Sequence, residues 1–275
     1  MTGSAGGVPP LVVCDLDRTL IYSRSALDAD PPALQCVERI RGADAAYLSA
    51  PAVSLLVELR RRSEFVPTTT RTREQYARVT LPGGPARFAI VANGGHLLCD
   101  GVSDPEWQRT VQDRLARCAP LAQVRDRLRA PAHGAWLLRE RSAEELFCYA
   151  VVERDLLPAD VVAELAAWAA DRGWAVSLQG RKLYLVPVPL TKSAAAAEVA
   201  RRTGADTVLA AGDSLLDADL LEYADVAVRP AHGELHDTGW KRPGVVVTAA
   251  AGVRAGEELL RVLLSRIGVY AGARD

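Results

Sequence analysis

The chain has almost no lysine. Of its 33 basic residues only three, Lys182, Lys192 and Lys241, are lysines. Such a skew follows genome base composition and proves no function, so only the position of each lysine is informative. Cysteine is sparse and unpatterned: Cys14, Cys36, Cys99, Cys118 and Cys148 make no CxxC pair and no regular framework, which argues against a disulfide scaffold and for buried reduced thiols. The four histidines, His96, His133, His232 and His236, are too scattered for a zinc site. No run reaches the ~18 apolar residues that a membrane span needs. The opening MTGSAGGVPP lacks the basic segment and apolar stretch of a signal peptide, so a cytoplasmic protein with a short disordered leader is expected. An excess of one charge is missing too: a formal net charge of -1 gives no pull toward nucleic acid or anionic membrane. No basic stripe is interleaved with aromatics, and neither a nucleic-acid nor a membrane partner is expected.

What is present is enough apolar sequence for one large core or two smaller ones: 49% of 275 residues. LVVCDL (11–16) is an apolar run without polar alternation, as in a strand buried on both faces of a parallel sheet. SAPAVSLLVELRRRS (49–63) has helical spacing, EFVPTTT (64–70) returns to strand character, TREQYARV (72–79) reads as a helix, and FAIVANGG (88–95) as a strand ending in a tight turn. Strand, helix, strand implies right-handed crossovers and an α/β domain. After residue 96 the order changes to αββαββ: one helix over 104–128, strands at 134–140 and 145–152, a helix over 158–173, and strands at 174–179 and 183–188. KSAAAAEVARRTG (192–204) is a helix, TVLAAGDS (207–214) a buried strand, DADLLEYA (217–224) a short helix, VAVRP and GVVVTA (244–249) short strands, and GEELLRVLLSRIGVY an amphipathic helix. The expected fold is a Rossmann-like parallel-sheet core, residues 9–96 and 190–271, with an inserted α+β domain over 97–189.

Ligands of open α/β sheets gather beyond the carboxyl ends of strands. Three strand ends carry the chemistry: DLDRT (15–19), the TTT cluster with Thr69, and GDSLLD (212–217), with Lys192 at a helix start beside them. Asp15 and Asp17 repel each other unless a cation or positive group lies near. With Asp213 and Asp217 they form an all-oxygen set suited to a hard cation, Mg²⁺ before others. A lysine at a helix start opposes the helix dipole, so an anion is expected beside Lys192. These residue types suit attack on phosphorus by a carboxylate nucleophile, with a second carboxyl to protonate the leaving oxygen.

In these motifs and their order the chain resembles the haloacid-dehalogenase-like (HAD) hydrolase superfamily on its phosphatase side. Asp15, Asp17 and Thr19 match the first motif, Thr69 the second, Lys192 the third, and Gly212, Asp213 and Asp217 the last. NGG before the insertion and LVPVPLTK after it are similar to the branch with an inserted C2-type cap: Cof-type sugar-phosphate phosphatases, sucrose-phosphate phosphatase and mannosyl-3-phosphoglycerate phosphatase. The resemblance implies Asp15 as nucleophile, Asp17 as general acid and base, and Thr69 and Lys192 as catalytic partners. It implies a phosphate-binding set of Asp15, Leu16, Asp17, Thr69, Thr70 and Lys192. It also implies Mg²⁺ held by Asp15, the Asp17 carbonyl and Asp213, with Asp217 as ligand or water anchor.

Arg18 stands where many relatives have Gly, Leu216 where many have Asn, and TTTR replaces Thr-Gly-Arg. Arg18, Asn93, Gly94, Arg181 and Lys182 are the expected specificity residues, with Arg139, Glu140 and Arg141 at a hairpin and the loop HGELHDTGW (232–240), notably His236, Asp237 and Trp240, as further places to look. The expected substrate is a small phosphorylated metabolite, sugar phosphates first, and the expected assembly a monomer or homodimer. A phosphotransferase or mutase using the same intermediate, and a non-catalytic binding protein of the same fold, are the alternatives.

Overall fold

The computed structural model describes residues 8–130 and 134–272, so most of MTGSAGGVPP and His133 lie outside the described residues. The chain enters on β1 (Leu11–Asp15), wholly buried between two parallel neighbours, which is why its sequence shows no polar alternation. It then builds a small antiparallel layer, β2 (Tyr22–Ser23), β3 (Leu34–Ile40) and β4 (Ala43–Ser49), in the order β2-β4-β3. The sequence reading placed no element there. The two long strands bury only Val37, Ala46, Tyr47 and Leu48 among their apolar residues, too few for a periodic signal.

Ser49 caps α1 (Ala50–Arg62) by accepting the Ala52 amide at 3.3 Å. There follow β5 (Glu64–Thr68), the single turn α2 (Arg73–Tyr76), β6 (Phe88–Val91), β7 (His96–Cys99) and β8 (Val102–Ser103). The one helix expected over 104–128 is two, α3 (Pro105–Leu115) and α4 (Leu121–Leu128), because Pro120 cannot continue a helix and restricts the residue before it. β9 (Leu137–Ala143), β10 (Phe147–Val152), α5 (Ala159–Ala170), β11 (Trp174–Gln179) and β12 (Lys182–Pro187) complete the expected alternation. The chain ends with α6 (Lys192–Thr203), β13 (Val208–Ala211), α7 (Ala218–Tyr223), β14 (Val226–Arg229), α8 (Glu234–Asp237), β15 (Val246–Val247) and α9 (Gly252–Gly272). Among the described residues no helix is long and apolar enough to cross a membrane.

The main sheet runs β15-β14-β13-β1-β5-β6-β7-β8, parallel from β15 to β6 and antiparallel beyond. Residues 97–103, expected inside the insertion, therefore extend the main sheet as β7 and β8. The turn at Asn93 and Gly94 reverses the chain straight back along β6. Alternate β1 residues face opposite layers: Val12 and Cys14 pack with Leu56, Leu59, Leu259 and Leu263 of α1 and α9, and Leu11 and Val13 with Ala195, Val199 and Leu220 of α6 and α7. The inserted α+β cap is a four-stranded antiparallel sheet, β11-β12-β10-β9, with α4 and α5 packed on it.

Two acids join cap to core. Glu144, in the β9–β10 turn, accepts the Arg73 amide at 2.8 Å and pairs with its guanidinium at 2.9 Å. Glu234 of α8 accepts from Ser177 Oγ at 2.7 Å and Leu178 N at 2.8 Å on β11. Within the core, the two segments that flank the insertion meet backbone on backbone: a Cβ on Gly94, whose φ is +92°, would lie 2.2 Å from the Thr191 carbonyl oxygen. Gly94→Ala is expected to cost roughly 2–3 kcal/mol of unfolding free energy. Urea unfolding measures it, and an unchanged midpoint would show that this junction is loose.

Candidate active site

Strand order places the site. From β1 the chain builds outward to β5 and β6 on one side, and later to β13, β14 and β15 on the other, so the order reverses between β1 and β13. A crevice opens at such a reversal beyond the strand ends. The register sets Cys14 beside Ala211 and Asp15 beside Thr68, which delivers Asp15 and, two residues past Ala211, Asp213 to that crevice. Carboxylate oxygens of Asp15, Asp213 and Asp217 lie within 4.8 Å of one another, all three residues buried.

Lys192 holds them. It opens α6, and side chains at a helix start lean back past the N-terminus, here toward the strand ends. Its Nζ, wholly buried, donates to Asp15 Oδ1 at 2.5 Å and to Asp217 Oδ1 at 2.5 Å. Burial opposes its charge, but the two carboxylates outweigh burial and raise its pKa. The anion that a lysine at a helix start calls for is thus doubly supplied, and Asp219 adds a third by accepting the Ser193 amide at 3.0 Å. Thr191 caps the helix by accepting the Ala194 amide at 3.2 Å.

Asp217 is an organiser. Its Oδ2 accepts from Asp213 N at 3.2 Å, Ser214 N at 3.0 Å and Ser214 Oγ at 2.7 Å, and its other oxygen holds Lys192. Gly212 permits this turn, since a Cβ there would lie 2.3 Å from the Asp217 Cβ. Asp15 and Asp213 are less saturated. Burial, then Asp15 and Asp217, push the Asp213 carboxyl well above its usual range, with Thr19 Oγ1 at 3.4 Å and the Arg18 Nε at 3.6 Å as its side-chain contacts. Burial likewise pushes Asp15 up to about 7 despite Lys192. Three buried carboxylates face a single buried ammonium, and burial and mutual repulsion raise Asp15 and Asp213; such an all-oxygen donor set fits a hard divalent cation.

Asp17 faces elsewhere. Both its oxygens are held by Arg71, Nε to Oδ2 at 2.7 Å and Nη2 to Oδ1 at 2.8 Å, and this fork lowers its pKa although burial acts the other way. Sequence reading missed Arg71 as a site residue. Its signal was the TTTR stretch, where the arginine keeps the place it has in Thr-Gly-Arg. Thr69 is buried, and its hydroxyl accepts the Arg71 amide at 3.1 Å. Thr70, Arg71 and Asp17 line a cleft of about 720 Å³ between the β2–β4 layer, the strand ends and the cap.

The remaining expected residues divide. Leu16 is fully buried, and its carbonyl accepts the amides of Leu20 and Ile21 at 2.9 and 2.8 Å, which shapes the loop. Arg18, Arg181 and Lys182 line the cleft, with Arg181 leaning toward Glu153 at 3.5 Å and Lys182 over the Tyr149 ring at 5.7 Å. Asn93 and Gly94, expected as specificity residues, do not line that cleft: Asn93 Nδ2 donates to the Leu190 carbonyl at 2.8 Å and Gly94 O accepts from Trp107 Nε1 at 2.8 Å. Both brace the segment that precedes Lys192. In the 232–240 loop the working residues are His232 and Glu234; His236 and Asp237 are exposed and Trp240 packs against the core. Glu140 is taken up within the cap by Arg125 at 2.7 Å.

No protein-family model and no curated protein sequence matches the chain. Solved structures do. The chain has the HAD fold, a Rossmann-like α/β core with an inserted α+β cap. It superposes on the sucrose-phosphatase of Synechocystis, solved with sucrose and phosphate, with a TM-score of 0.61 and 18% identity over 93% of this chain and 98% of that one. A HAD-superfamily phosphatase from Bacteroides thetaiotaomicron gives 0.55 and 14% over 97% and 100%. A subclass IIB sugar phosphatase of the superfamily gives 0.57 and 9% over 94% and 99%.

Replacing Lys192 by methionine strands Asp15 and Asp217 in the interior without their countercharge. With EDTA present, Lys192→Met is expected to cost about 3–5 kcal/mol of stability. Chemical denaturation measures this, and a loss under about 1 kcal/mol would contradict the buried pairing.

Proposed function

We propose that the protein is a Mg²⁺-dependent phosphomonoester hydrolase acting on a small phosphorylated metabolite in the cytoplasm, a sugar phosphate before others. The observation that carries the reading is Lys192 bridging Asp15 and Asp217 with Asp213 against them, a constellation assembled from two separate strand ends and a helix start. Asp15 is the nucleophile: its carboxylate oxygen forms a bond to phosphorus as the bond to the alcohol oxygen breaks, giving an aspartyl-phosphate and the alcohol. Water then cleaves the acyl phosphate, returning Asp15 and releasing phosphate. Lys192 orients Asp15 and offsets charge on the phosphoryl oxygens, with Thr69 and Thr70 beside them. Asp15, the Asp17 carbonyl and Asp213 would hold Mg²⁺, which would supply positive charge to offset the repulsion between an anionic phosphoryl group and an anionic carboxylate.

Asp17 moves the protons. Paired with Arg71 it is ionised, the state that takes a proton from the attacking water; giving one to the leaving oxygen requires one arm of the Arg71 fork to release its oxygen as substrate enters while the other arm keeps Asp17 in place. Arg18, Arg181 and Lys182 around the cleft, with the sugar-phosphate substrates named for two of the similar structures, support a polar, anionic metabolite.

The test is phosphate release from a panel of phosphate monoesters by wild type, Asp15→Asn and Asp17→Asn, with Mg²⁺ and with EDTA. Wild type is expected to turn over at least one sugar phosphate only with the metal. Asp15→Asn and Asp17→Asn are each expected to lose at least about 10²-fold. Full turnover by Asp15→Asn would remove the nucleophile from this scheme.

A further inference from the structure

Glu38 lies on β3, in the layer that the sequence left unread, and no family motif includes it. Its side chain is only 3% exposed, so its charge needs partners to be held there. The backbone aims it. The β3–β4 register shifts on both sides of Glu38, which pairs with Ala46 and also makes an isolated bridge to Val79 on its other side. Such irregularities re-aim a side chain beside functional sites. Here the carboxylate reaches Arg71 Nη1 with Oε2 at 2.8 Å and Arg78 Nε with Oε1 at 3.2 Å.

The guanidinium of Arg71 is planar and rigid, so fixing one nitrogen fixes the direction of the other two. Glu38 takes Nη1, and Nε and Nη2 are left pointing at the two oxygens of Asp17. At the other end of the same side chain the Thr69 hydroxyl accepts the Arg71 amide. Arg71 is thus held at its backbone and at its guanidinium, and Asp17, the last member of the chain Arg78, Glu38, Arg71, Asp17, is the one that meets the cleft together with it.

We propose that Glu38 is a positioning residue for proton transfer: through Arg71 it sets where Asp17 stands relative to the leaving oxygen, without touching substrate itself. The proposal rests on the phosphatase reading above. It has a signature that a stabilising ion pair lacks. An ester whose leaving group departs as a stable anion needs no proton, whereas an alkyl ester does, so misplacing Asp17 harms the second and spares the first. The quantity to compare is kcat/KM, which reports the steps through departure of the leaving group and not the later attack of water.

The experiment measures kcat/KM for a nitrophenyl phosphate and an alkyl sugar phosphate with Mg²⁺, using wild type, Glu38→Gln, Asp17→Asn and Arg78→Gln, with thermal unfolding of each. Glu38→Gln is expected to lose about 30-fold on the alkyl ester and less than about 3-fold on the aryl ester, the pattern of Asp17→Asn in weaker form. Arg78→Gln, which removes the partner of Glu38 remote from Asp17, is expected to lose stability without that selectivity. Equal losses on both esters by Glu38→Gln would overturn the positioning role and leave the phosphatase reading intact. A wild type inactive on both esters and on the wider panel would overturn the phosphatase reading and this role with it. Should Glu38→Gln fail to fold, Arg71→Lys carries the test, since an ammonium cannot hold both Asp17 oxygens; the same selective loss supports the proposal and an equal loss overturns it.

Discussion

One buried ammonium decides what the rest of the structure must do. Three carboxylates cannot share a dry crevice unaided, because burial and mutual repulsion both drive them toward the neutral acid, as the raised Asp15 and Asp213 show. Lys192 makes two of them tolerable at once, and only if its Nζ arrives between Asp15 and Asp217 with little freedom. Much of the local architecture serves that delivery. Thr191 caps the helix start, Asp219 receives the next amide, and the alanines of α6 keep the helix close to the sheet. Gly94 lets the NGG turn press directly on the Thr191 carbonyl, and Gly212 lets the Asp217 carboxylate fold under its own loop.

A second charge network stands beside the first and is built differently. Lys192 is compact and shared among buried acids, whereas Arg71 uses its fork to hold Asp17 on one side and Glu38 on the other. The two carboxylates of DLDRT are thereby separated by assignment: Asp15 goes to lysine in the interior, Asp17 to arginine at the cleft. That division answers why two acids flank a single Leu at a strand end. Leu16 goes into the core and its carbonyl closes the loop, so the acids on either side leave in different directions.

The parts legible in sequence were those with a strong local signal. β1 and β13 announced themselves as unbroken apolar runs ending in acids, and DLDRT, GDSLLD and Lys192 stood out because metal-loving carboxylates and a rare lysine punctuate those ends. The β2–β4 layer was invisible because its strands bury few apolar residues and those do not alternate, so neither face is consistently apolar, and Glu38 went unseen with it. The boundary after residue 96 was misplaced because β7 and β8 are short antiparallel additions whose pairing partner, β6, is known only in three dimensions. Asn93 and Gly94 were noticed for a sound reason, a special turn, but the turn serves packing against 190–191 and not the cleft. Long-range pairings such as Arg71 with Asp17 leave no periodic trace, and only the TTTR pattern hinted at that one.

Arg18 stands between the acidic cluster and the cap. It takes a left-handed φ of 65°, a conformation that costs a non-glycine residue energy and must be held. His232 holds it: the Gly252 amide donates to Nδ1 at 3.2 Å, which puts the ring proton on Nε2, and Nε2 donates to the Arg18 carbonyl at 2.7 Å. Burial lowers the His232 pKa and so favours this neutral tautomer. The guanidinium that results from this placement stands 3.6 Å from Asp213 and close under the cap turn, where a Cβ on Gly180 would lie 4.0 Å from Nη1. A glycine at position 18 would relieve the strain but would leave Asp213 without the guanidinium beside it. The strained arginine therefore stands between the acidic cluster and the turn of Gln179, Gly180, Arg181 and Lys182, the same turn that walls the cleft.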